Sequence, residues 1–396
     1  MKSILFISWD GPQTNYMQGL FLPLFNEIQK TSAYQFHIIQ FTWGSNERII
    51  NIKQKAKEIN VFYTEQIVNR KPTVIIGSLI SLYKGTQYIE NYIALNDIDI
   101  VMPRSTMPAI MINRIKDRKF ELIFDADGLP LEERVDFSGL SPKSFQYKFL
   151  KKQETKMLIS ANGVLTRSKK AIKIHSNYIG NKNIEKFSVV TNGRDINFFK
   201  PNKLSRNEVR KELNVVNTAL VFVYCGSLGP QYSLEEMMGI FLGFNQKHND
   251  SKFLILTGDV AYTKNRIPKE VENSIVVKSV SFEEVPKYLS GADIAFALRK
   301  PKYSMTAVDP IKIGEYLLMG LPTIASTKIG DSEKLLKKNT NCFLYNHHSN
   351  LSTNQAIEFI EYLDTDEQEK IRAFGVEYYS IEKSAATYIE SLNLLK

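Results

Sequence analysis

Short apolar segments alternate with longer amphipathic ones along most of this sequence, and this alternation limits the possible folds more than any other feature. In the first half, the segments that read as buried strands are Ile4–Ser8, His37–Phe41, Val74–Gly77, Asp99–Met102, Leu122–Asp125, Val164–Thr166 and Ser188–Val190. In the second half they are Leu220–Tyr224, Phe253–Leu256, Ile275–Val277, Ile294–Leu298 and Thr323–Ala325. Because strands that alternate with helices form parallel sheets, the sequence predicts an α/β protein with doubly wound parallel sheets.

The turn-rich segment Thr191–Lys203 separates the two halves, and from about Ser349 onward the pattern predicts helices without strands. A chain of 396 residues is long enough for two domains, each with its own core. No apolar run approaches the roughly 18 residues of a membrane-spanning helix, and the first apolar stretch is too short for a signal peptide. Cys225 and Cys342 follow or lie in apolar strand-like runs and are expected to be buried free thiols, which fits the cytoplasm.

The formal net charge of +9 predicts a polyanionic partner or an anionic surface. Nucleic acid is not expected, because no nucleic-acid-binding module is recognisable and acidic residues are interspersed with the basic ones. In the segment Lys143–Lys156, lysines alternate with aromatic residues, which suits peripheral contact with an anionic membrane. A solvated helix whose aromatic side chains enter the core explains the same pattern equally well.

The segment Ala292–Ser326 indicates a ligand site. It reads as a buried strand, a basic loop with Arg299, a helix that begins at Pro310, and a second strand. Open parallel sheets bind ligands where the carboxyl ends of strands face helix N-termini. Lys312 in the first turn favours an anion, and Glu315 lies near the same helix face. The pattern suits a nucleotide sugar, although an ordinary amphipathic helix with a solvated Lys–Glu pair is the alternative.

The spacing Asp293, Arg299, Pro310-x-Lys312-x-x-Glu315-Tyr316 and Gly320-x-Pro322 resembles the donor-site motif of GT-B glycosyltransferases. It is most similar to the P-x-K-x-x-E-Y branch of retaining glycosyltransferase family 4. The segment Val190–Pro201 is similar to the interdomain segment P-N-G-V-D-x-x-x-F-x-P of that family. The resemblance implies that Glu315 binds the nucleotide ribose and that Arg299 and Lys312 face the diphosphate.

The resemblance also implies the GT-B architecture, in which two Rossmann-like doubly wound parallel-sheet domains face an interdomain cleft and a C-terminal helix crosses back to the N-terminal domain. On that basis we expect an acceptor-side domain over residues 1–195, a nucleotide-sugar-binding domain over residues 196–378, and the returning helix over residues 379–396. The donor is expected to be of the UDP or GDP type, with no metal ion and no cofactor.

The loop after the first strand of the second half offers backbone N–H groups to a diphosphate at a helix N-terminus. Ser233 and Glu236 have the spacing of a capping box at the start of that helix. The predicted donor-binding residues of this loop are Gly226, Ser227 and Gly229.

Two departures from the family pattern affect the donor site. Many members of the family carry an Arg and a Lys just after the glycine loop, where this chain has Gln231–Ser233. The family motif also has a Glu eight positions before Glu315, where this chain has Ala307. Arg299 and Lys312 are therefore expected to neutralise most of the diphosphate charge.

In the first half, Asp127 ends a buried strand at the position where the family carries His or Arg. A carboxylate there is expected to bind a donor hydroxyl or to orient the acceptor, with a helix-capping role as the alternative. Asp125-Ala126-Asp127 has the D-x-D spacing of a metal site, but two Rossmann-like halves favour a metal-independent enzyme. Gly11 follows the first strand and would let the backbone approach the reacting sugar.

The motifs of zinc proteases, redox dithiols, serine hydrolases, P-loop ATPases and dinucleotide-binding enzymes do not occur in this sequence. We therefore expect a retaining, metal-independent glycosyltransferase of hexosyl or N-acetylhexosaminyl type, located in the cytoplasm or at the inner face of the cell membrane. Its acceptor is expected to be a glycan or lipid-linked acceptor in bacterial surface polysaccharide biosynthesis, and its catalytic residues Asp127, Arg299 and Lys312. The alternatives are a sugar-nucleotide epimerase of similar fold and a non-catalytic partner subunit of a glycan assembly complex.

Overall fold

A computed structural model of the chain describes residues 1–11, 15–216, 218–364 and 367–395, apart from the side chains of residues 181 and 182. The chain divides into two compact units. Unit 1 comprises Met1–Thr191 together with Ser384–Lys396, and unit 2 comprises Asn192–Lys383.

Unit 1 contains a parallel sheet of seven strands in the order β3-β2-β1-β4-β5-β6-β7. The strands are β1 (Lys2–Asp10), β2 (Tyr34–Thr42), β3 (Phe62–Ile67), β4 (Ile100–Pro103), β5 (Glu121–Asp127), β6 (Gly163–Thr166) and β7 (Phe187–Val189). The strand order reverses between β1 and β4. Open α/β sheets bind ligands at the carboxyl ends of the strands at such a switch point.

The helices of unit 1 connect consecutive strands and cover the sheet. A π-helical turn (Met17–Phe21) leads into α1 (Leu22–Thr31), which is followed by α2 (Asn46–Glu58), α3 (Val74–Leu95), α4 (Thr106–Ile112), α5 (Pro130–Ser138), α6 (Phe145–Ser160) and α7 (Lys169–Ile179). Leu82 of α3, Ile110 of α4 and Met157 of α6 share one apolar cluster with Phe41 and Phe124 of the sheet. These three helices therefore pack on the same face of the sheet.

Unit 2 repeats this architecture with six parallel strands in the order β10-β9-β8-β11-β12-β13, so its switch point lies between β8 and β11. Its strands are β8 (Val221–Cys225), β9 (Lys252–Leu256), β10 (Ile275–Lys278), β11 (Ile294–Ala297), β12 (Thr323–Ser326) and β13 (Cys342–Tyr345). Its α-helices are α8 (Lys203–Glu212), α9 (Leu234–Asn245), α10 (Val260–Lys264), α11 (Val285–Ser290), α12 (Ile311–Leu318), α13 (Ser332–Leu336), α14 (Ser352–Glu361) and α15 (Gln368–Tyr379).

The last helix, α16 (Ile381–Asn393), supplies the C-terminal part of unit 1. The Ser384 hydroxyl donates to the Thr191 carbonyl at 2.5 Å, and the Tyr34 hydroxyl donates to Asn393 Oδ1 at 2.9 Å. The expected return of the C-terminal helix to the N-terminal domain is thus confirmed. None of the helices in the described part of the chain has the length and apolar character needed to cross a membrane.

One predicted strand is wrong. Val74–Gly77 is the first turn of α3, and the Thr73 hydroxyl caps this helix by accepting a hydrogen bond from the Ile76 N–H at 3.3 Å. A short apolar run does not by itself distinguish a strand from a helix. His37 is buried in β2, with Nδ1 3.0 Å from the Tyr92 hydroxyl oxygen.

Candidate functional site

Two loops of unit 2 lie together at the carboxyl ends of β8 and β11, which is the switch point of its sheet. A backbone bridge pairs Tyr232 with Arg299, and the Lys300 N–H donates to the Gln231 carbonyl at 3.0 Å. These are the glycine loop and the basic loop that the sequence indicates. The structure gathers the following predicted residues in this region: Gly226, Ser227, Gly229, Arg299 and Lys312.

Lys312 extends from the first turn of α12 over the glycine loop. Its ammonium occupies the space that a Cβ at position 226 would need, and Gly226 has a φ of 137°, which other residues rarely adopt. The Gly226 N–H already donates to the Leu256 carbonyl at 2.8 Å. The N–H groups of Ser227 and Gly229 have no partner among the described residues. Gly226 therefore provides room for a cation, while Ser227 and Gly229 offer the N–H groups.

The Tyr232 ring contacts both cations of this region. The Arg299 Cζ lies 4.8 Å from the ring centroid, and the Lys312 Nζ lies 5.3 Å from it. Arg299 also donates to the Tyr232 hydroxyl at 3.4 Å. Since a cation near an aromatic face is attracted by the ring, Tyr232 holds Arg299 and Lys312 close to each other despite their like charge.

A chain of polar contacts fixes the backbone of Arg299. Its N–H donates to the Ser326 hydroxyl at 2.8 Å, and that hydroxyl lies 2.8 Å from His347 Nε2. His347 Nδ1 lies 3.3 Å from a Glu236 oxygen, and this hydrogen bond lowers the pKa of Glu236. The predicted capping box is therefore wrong, because Glu236 bonds to His347 and Ser233 has a ψ of 62° and makes no capping hydrogen bond. Sequence reasoning missed His347, which lies in a polar loop without a recognisable motif.

Glu315 is buried, with 8% of its surface exposed, and one carboxylate oxygen accepts from Arg194 Nε at 2.9 Å. Arg194 is itself 5% exposed, so the pair is shielded from solvent. Sequence reasoning missed Arg194, although it lies in the N-G-R-D segment that carries the family resemblance. Ala307 is fully buried, so this position does not present a side chain to solvent.

Both cysteines of the chain are free thiols, as predicted, but each is half-buried and not fully buried as expected. Cys225 ends β8 beside the glycine loop, and burial, reinforced by the nearby Glu315 charge, raises its pKa to about 12. Burial also raises the pKa of Cys342 to about 12. Neither thiol is a nucleophile at neutral pH, because nucleophilic attack requires the thiolate.

A second cluster of charged side chains lies at the carboxyl ends of β4, β5 and β6 in unit 1. Arg104 donates to Asp125 and to Asp127 at 2.8 Å each. Arg167 donates to Asp125 at 3.0 Å and to the Tyr388 hydroxyl of α16 at 3.2 Å. Burial alone would raise the pKa of Asp125, but the charges of Arg167 and Arg104 outweigh burial and lower it. Sequence reasoning missed both arginines, whose only signal was a basic residue directly after a buried strand.

Asp127 is the exposed member of this cluster, with 37% of its side chain accessible. It has a φ of 60° at a register shift between β5 and β6. A non-glycine residue in this conformation stores backbone strain, which is common at functional sites. Asp125 and Asp127 both pair with arginine, which argues against interpreting the D-x-D spacing as a metal site.

Gly11 follows β1 in a close approach to Trp43, since a Cβ at position 11 would lie 2.8 Å from the indole ring. The preceding Asp10 accepts a hydrogen bond from the Gln40 side chain at 3.2 Å. Pro12, which follows in the same predicted loop, lies outside the described residues.

The lysines of Lys143–Lys156 do not share one role. Lys151 of α6 is buried and forms ion pairs with Glu132 at 2.9 Å and with Glu154 at 2.6 Å. Lys156 donates to the Asn113 carbonyl at 2.8 Å. Lys156 nevertheless remains exposed, as do Lys143, Lys148 and Lys152.

No protein-family model matches the chain, and no curated protein is significantly similar to it in sequence. Solved structures are similar in fold. HepE of Anabaena in complex with UDP-glucose superposes with a TM-score of 0.71 at 14% identity, covering 99% of this chain and all (100%) of that chain. A glycosyltransferase from Rickettsia africae has a TM-score of 0.71 at 16% identity and covers 100% of this chain and 99% of its own.

Sucrose-phosphate synthase from Thermosynechococcus elongatus has a TM-score of 0.70 at 13% identity, again covering 100% of this chain and 99% of its own. Identities this low carry information about the fold alone. The chain has the GT-B fold, with two Rossmann-like units built on parallel sheets, as the sequence predicts.

Proposed function

We propose that this protein is a retaining glycosyltransferase that moves a hexose or N-acetylhexosamine from a UDP- or GDP-sugar to a glycan or lipid-linked acceptor in bacterial surface polysaccharide biosynthesis. The observation that supports this most is the convergence of Arg299 and Lys312 on the glycine loop. Two cations beside free backbone N–H groups at strand carboxyl ends suit a diphosphate. The likeness to HepE, which was crystallised with UDP-glucose, favours a UDP-linked donor.

In this proposal the reaction depends on electrostatic stabilisation. As the bond from the sugar to the diphosphate breaks, negative charge develops on the leaving group. Arg299, Lys312 and the N–H groups of Ser227 and Gly229 would stabilise that charge. Glu315, which Arg194 orients, would accept hydrogen bonds from the ribose hydroxyls.

The proposed roles in unit 1 belong to Asp127 and Gly11. Arg104 orients the Asp127 carboxylate, whose exposed part would accept a hydrogen bond from a sugar or acceptor hydroxyl. Gly11 would let the backbone pass close to the sugar. We further propose that the protein works in the cytoplasm, in peripheral contact with the anionic lipid of the inner face of the membrane.

The first test is thermal stabilisation by UDP and by GDP. A ligand at a hundredfold excess over its Kd stabilises the folded state by about 2.7 kcal/mol. We expect this stabilisation with one of the two nucleotides, and we expect Arg299→Ala and Lys312→Ala to reduce it. Lys211→Ala, which removes an exposed cation on α8, is the matched control and should leave it unchanged.

The second test is turnover of the matching sugar nucleotides, with the product's anomeric configuration determined by NMR. Transfer with retained configuration, persisting in excess chelator, is expected. Conversion of the donor to its epimer without release of nucleoside diphosphate would identify an epimerase instead. Nucleotide binding without any turnover on a panel of donors and acceptors would favour the non-catalytic partner subunit.

A further inference from the structure

The first three turns of α3 expose large apolar side chains to solvent. Each of these side chains is between 36% and 71% exposed. We refer to them as the α3 apolar face: Val74, Ile75, Ile76, Leu79, Ile80 and Tyr83. The face begins near the carboxyl end of β3 and extends about 14 Å along the helix. Contiguous apolar surface of this kind commonly marks an interaction site.

The packing of α3 explains why its large side chains point outward. The helix packs against unit 1 through small residues, including Gly77, Ser81 and Gly85. A Cβ at Gly85 would lie 2.6 Å from Met111 Sδ and 2.7 Å from the Phe41 ring, so nothing larger fits there. Leu82 and Ile89 of α3 are also buried in the core of unit 1, so the exposed aliphatic side chains of the α3 apolar face are not needed to attach the helix to the sheet.

The apolar character ends abruptly along the same helix. Between Tyr83 and the last turn of the helix the exposed positions are polar, namely Lys84, Gln87, Glu90 and Asn91, and apolar side chains are exposed again only at Ala94 and Leu95. A helix that only needed to remain in solution would have polar residues on both halves of its exposed face. The contrast confines the candidate interaction surface to the half of α3 nearest the carboxyl end of the sheet.

The charged residues in the stretch of sequence that contains the α3 apolar face are all positive. No Asp or Glu occurs between Glu65 and Glu90, whereas Arg70, Lys71 and Lys84 lie in this stretch. Arg114 adds a further cation, because its guanidinium carbon lies 5.0 Å from the centroid of the Tyr83 ring. Aliphatic side chains surrounded by cations match the interface of an anionic bilayer.

We propose that the α3 apolar face docks on an anionic phospholipid bilayer, with its aliphatic side chains at the boundary between headgroups and acyl chains. This inference rests on the membrane contact included in the proposed function and assigns that contact to α3 rather than to the Lys143–Lys156 segment. A second copy of the chain fits the surface less well. A symmetric dimer through this face would bring the same cations against each other without an acidic partner.

Vesicle flotation tests this assignment with the full chain. Wild-type protein should bind vesicles of phosphatidylcholine mixed with phosphatidylglycerol, bind pure phosphatidylcholine weakly, and dissociate as salt increases. The double variant Ile75→Gln/Leu79→Gln should lower the partition coefficient roughly tenfold. Leu95→Gln removes an exposed apolar side chain at the other end of the same helix and is the matched control. The double variant Lys148→Gln/Lys152→Gln tests the Lys143–Lys156 segment as the alternative membrane-binding surface. Leu95→Gln and Lys148→Gln/Lys152→Gln should each change the partition coefficient by less than about twofold.

Several results would overturn the inference. These are failure of the wild type to bind, equal binding to neutral vesicles, and unchanged binding of the α3 double variant. Concentration-dependent self-association that Ile75→Gln/Leu79→Gln abolishes would identify a copy-to-copy interface instead. Stabilisation by UDP is measured on each variant, so loss of lipid binding is distinguished from unfolding and from failure of the proposed transfer function.

Discussion

Tyr232 stands at one of the departures from the pattern of the family that the sequence resembles, and in the proposed donor site its contacts would compensate for that departure. Where the resembling enzymes often carry basic residues, this chain has an aromatic ring that contacts both Arg299 and Lys312. The local cations are thus contributed by the opposite loop and helix rather than by the glycine loop. The departure changes which residues supply the charge without removing the charge from the site.

Arg299 and Lys312 should each contribute strongly to turnover if they stabilise the leaving diphosphate. Removing one preorganised charge-stabilising group raises a barrier by about 3–4 kcal/mol, so kcat of Arg299→Ala or Lys312→Ala should fall by about 10²–10³. Lys312→Arg should recover only part, because a guanidinium and an ammonium differ in shape. Steady-state kinetics with Lys211→Ala as control measure this effect. Losses of only a few-fold in both alanine variants would remove the two residues from the mechanism.

His175 should make folding stability depend on pH. It is buried in α7, and burial, with a smaller effect of the Lys151 charge, lowers its pKa to about 4. In the unfolded chain this histidine has its ordinary pKa of about 6.5. Between about pH 4 and pH 6.5 the unfolded chain therefore binds the proton more readily than the folded chain. The stability is complete above about pH 6.5 and decreases as the pH falls toward 4.

Urea denaturation at pH 7.5 and at pH 5 measures this dependence. When the pH is lowered from 7.5 to 5, the free energy of unfolding of the wild type should decrease by about 2 kcal/mol more than that of His175→Gln. His348→Gln, which replaces an exposed histidine, should retain the wild-type slope. An identical slope in wild type and His175→Gln would show that His175 does not titrate in this range.

Sequence reasoning identified residues whose chemistry is marked by a local motif and missed those that act from a distance. Arg299 and Lys312 lie within one short segment, and the structure brings them to the glycine loop. Arg104 and Arg167 are 63 residues apart in sequence and meet only because β4, β5 and β6 are neighbours. Such a cluster depends on strand order, which a local pattern does not contain.

At the level of elements, all the central strands were predicted, whereas two of the four edge strands of the described sheets, β3 and β13, were missed. β3 (Phe62–Ile67) and β13 (Cys342–Tyr345) each have one neighbouring strand and are only partly buried. Their sequences therefore lack the continuous apolar character by which the buried strands were recognised. The opposite error at Val74–Gly77 arose because apolar residues on an exposed helix imitate a buried strand.

Gly226→Ala should impair the glycine loop without unfolding unit 2. The added Cβ would clash with the Lys312 ammonium, and the φ of 137° disfavours any side chain. We expect at least about a tenfold loss of nucleotide affinity, measured by calorimetric titration. Gly239→Ala in α9 is the matched control, because a Cβ there meets nothing within 4 Å. It should raise stability by about 0.5–1 kcal/mol and leave affinity unchanged. Equal affinities in both variants would contradict the role given to Gly226.

At the level of the whole molecule, the alternation of strands and helices was enough to predict two parallel α/β units. Both observed sheets have the doubly wound strand order that the pattern implied. The pattern does not show which of the two units the final helix belongs to, because a short amphipathic helix can pack on either unit. The return of Ser384–Lys396 to unit 1 came from the family resemblance.

A chain that ends at Lys383 should lose unit 1 selectively. The deletion removes Tyr388 and Leu392, both 2% exposed, and the hydrogen bond from Arg167 to the Tyr388 hydroxyl. We expect unit 1 to be destabilised by at least about 3 kcal/mol. Scanning calorimetry should show an early transition for unit 1 and a later one that UDP still shifts. The full-length Tyr388→Phe variant is the milder comparison and should lose only about 1 kcal/mol. A truncated chain that melts like the wild type would contradict this prediction.

The discontinuous make-up of unit 1 also governs when it can fold in the cell. Met1–Thr191 are synthesised first, all of unit 2 follows, and the residues from Ser384 onward are added last. At typical translation rates of about 5–20 residues per second, the sheet of unit 1 waits roughly 10–40 s for its final helix. During that interval Arg167 has not yet met Tyr388, and the apolar surface that α16 will cover is open to chaperones. A polypeptide that terminates before Ser384 therefore never completes unit 1, whereas it contains all of unit 2 once Lys383 has been added.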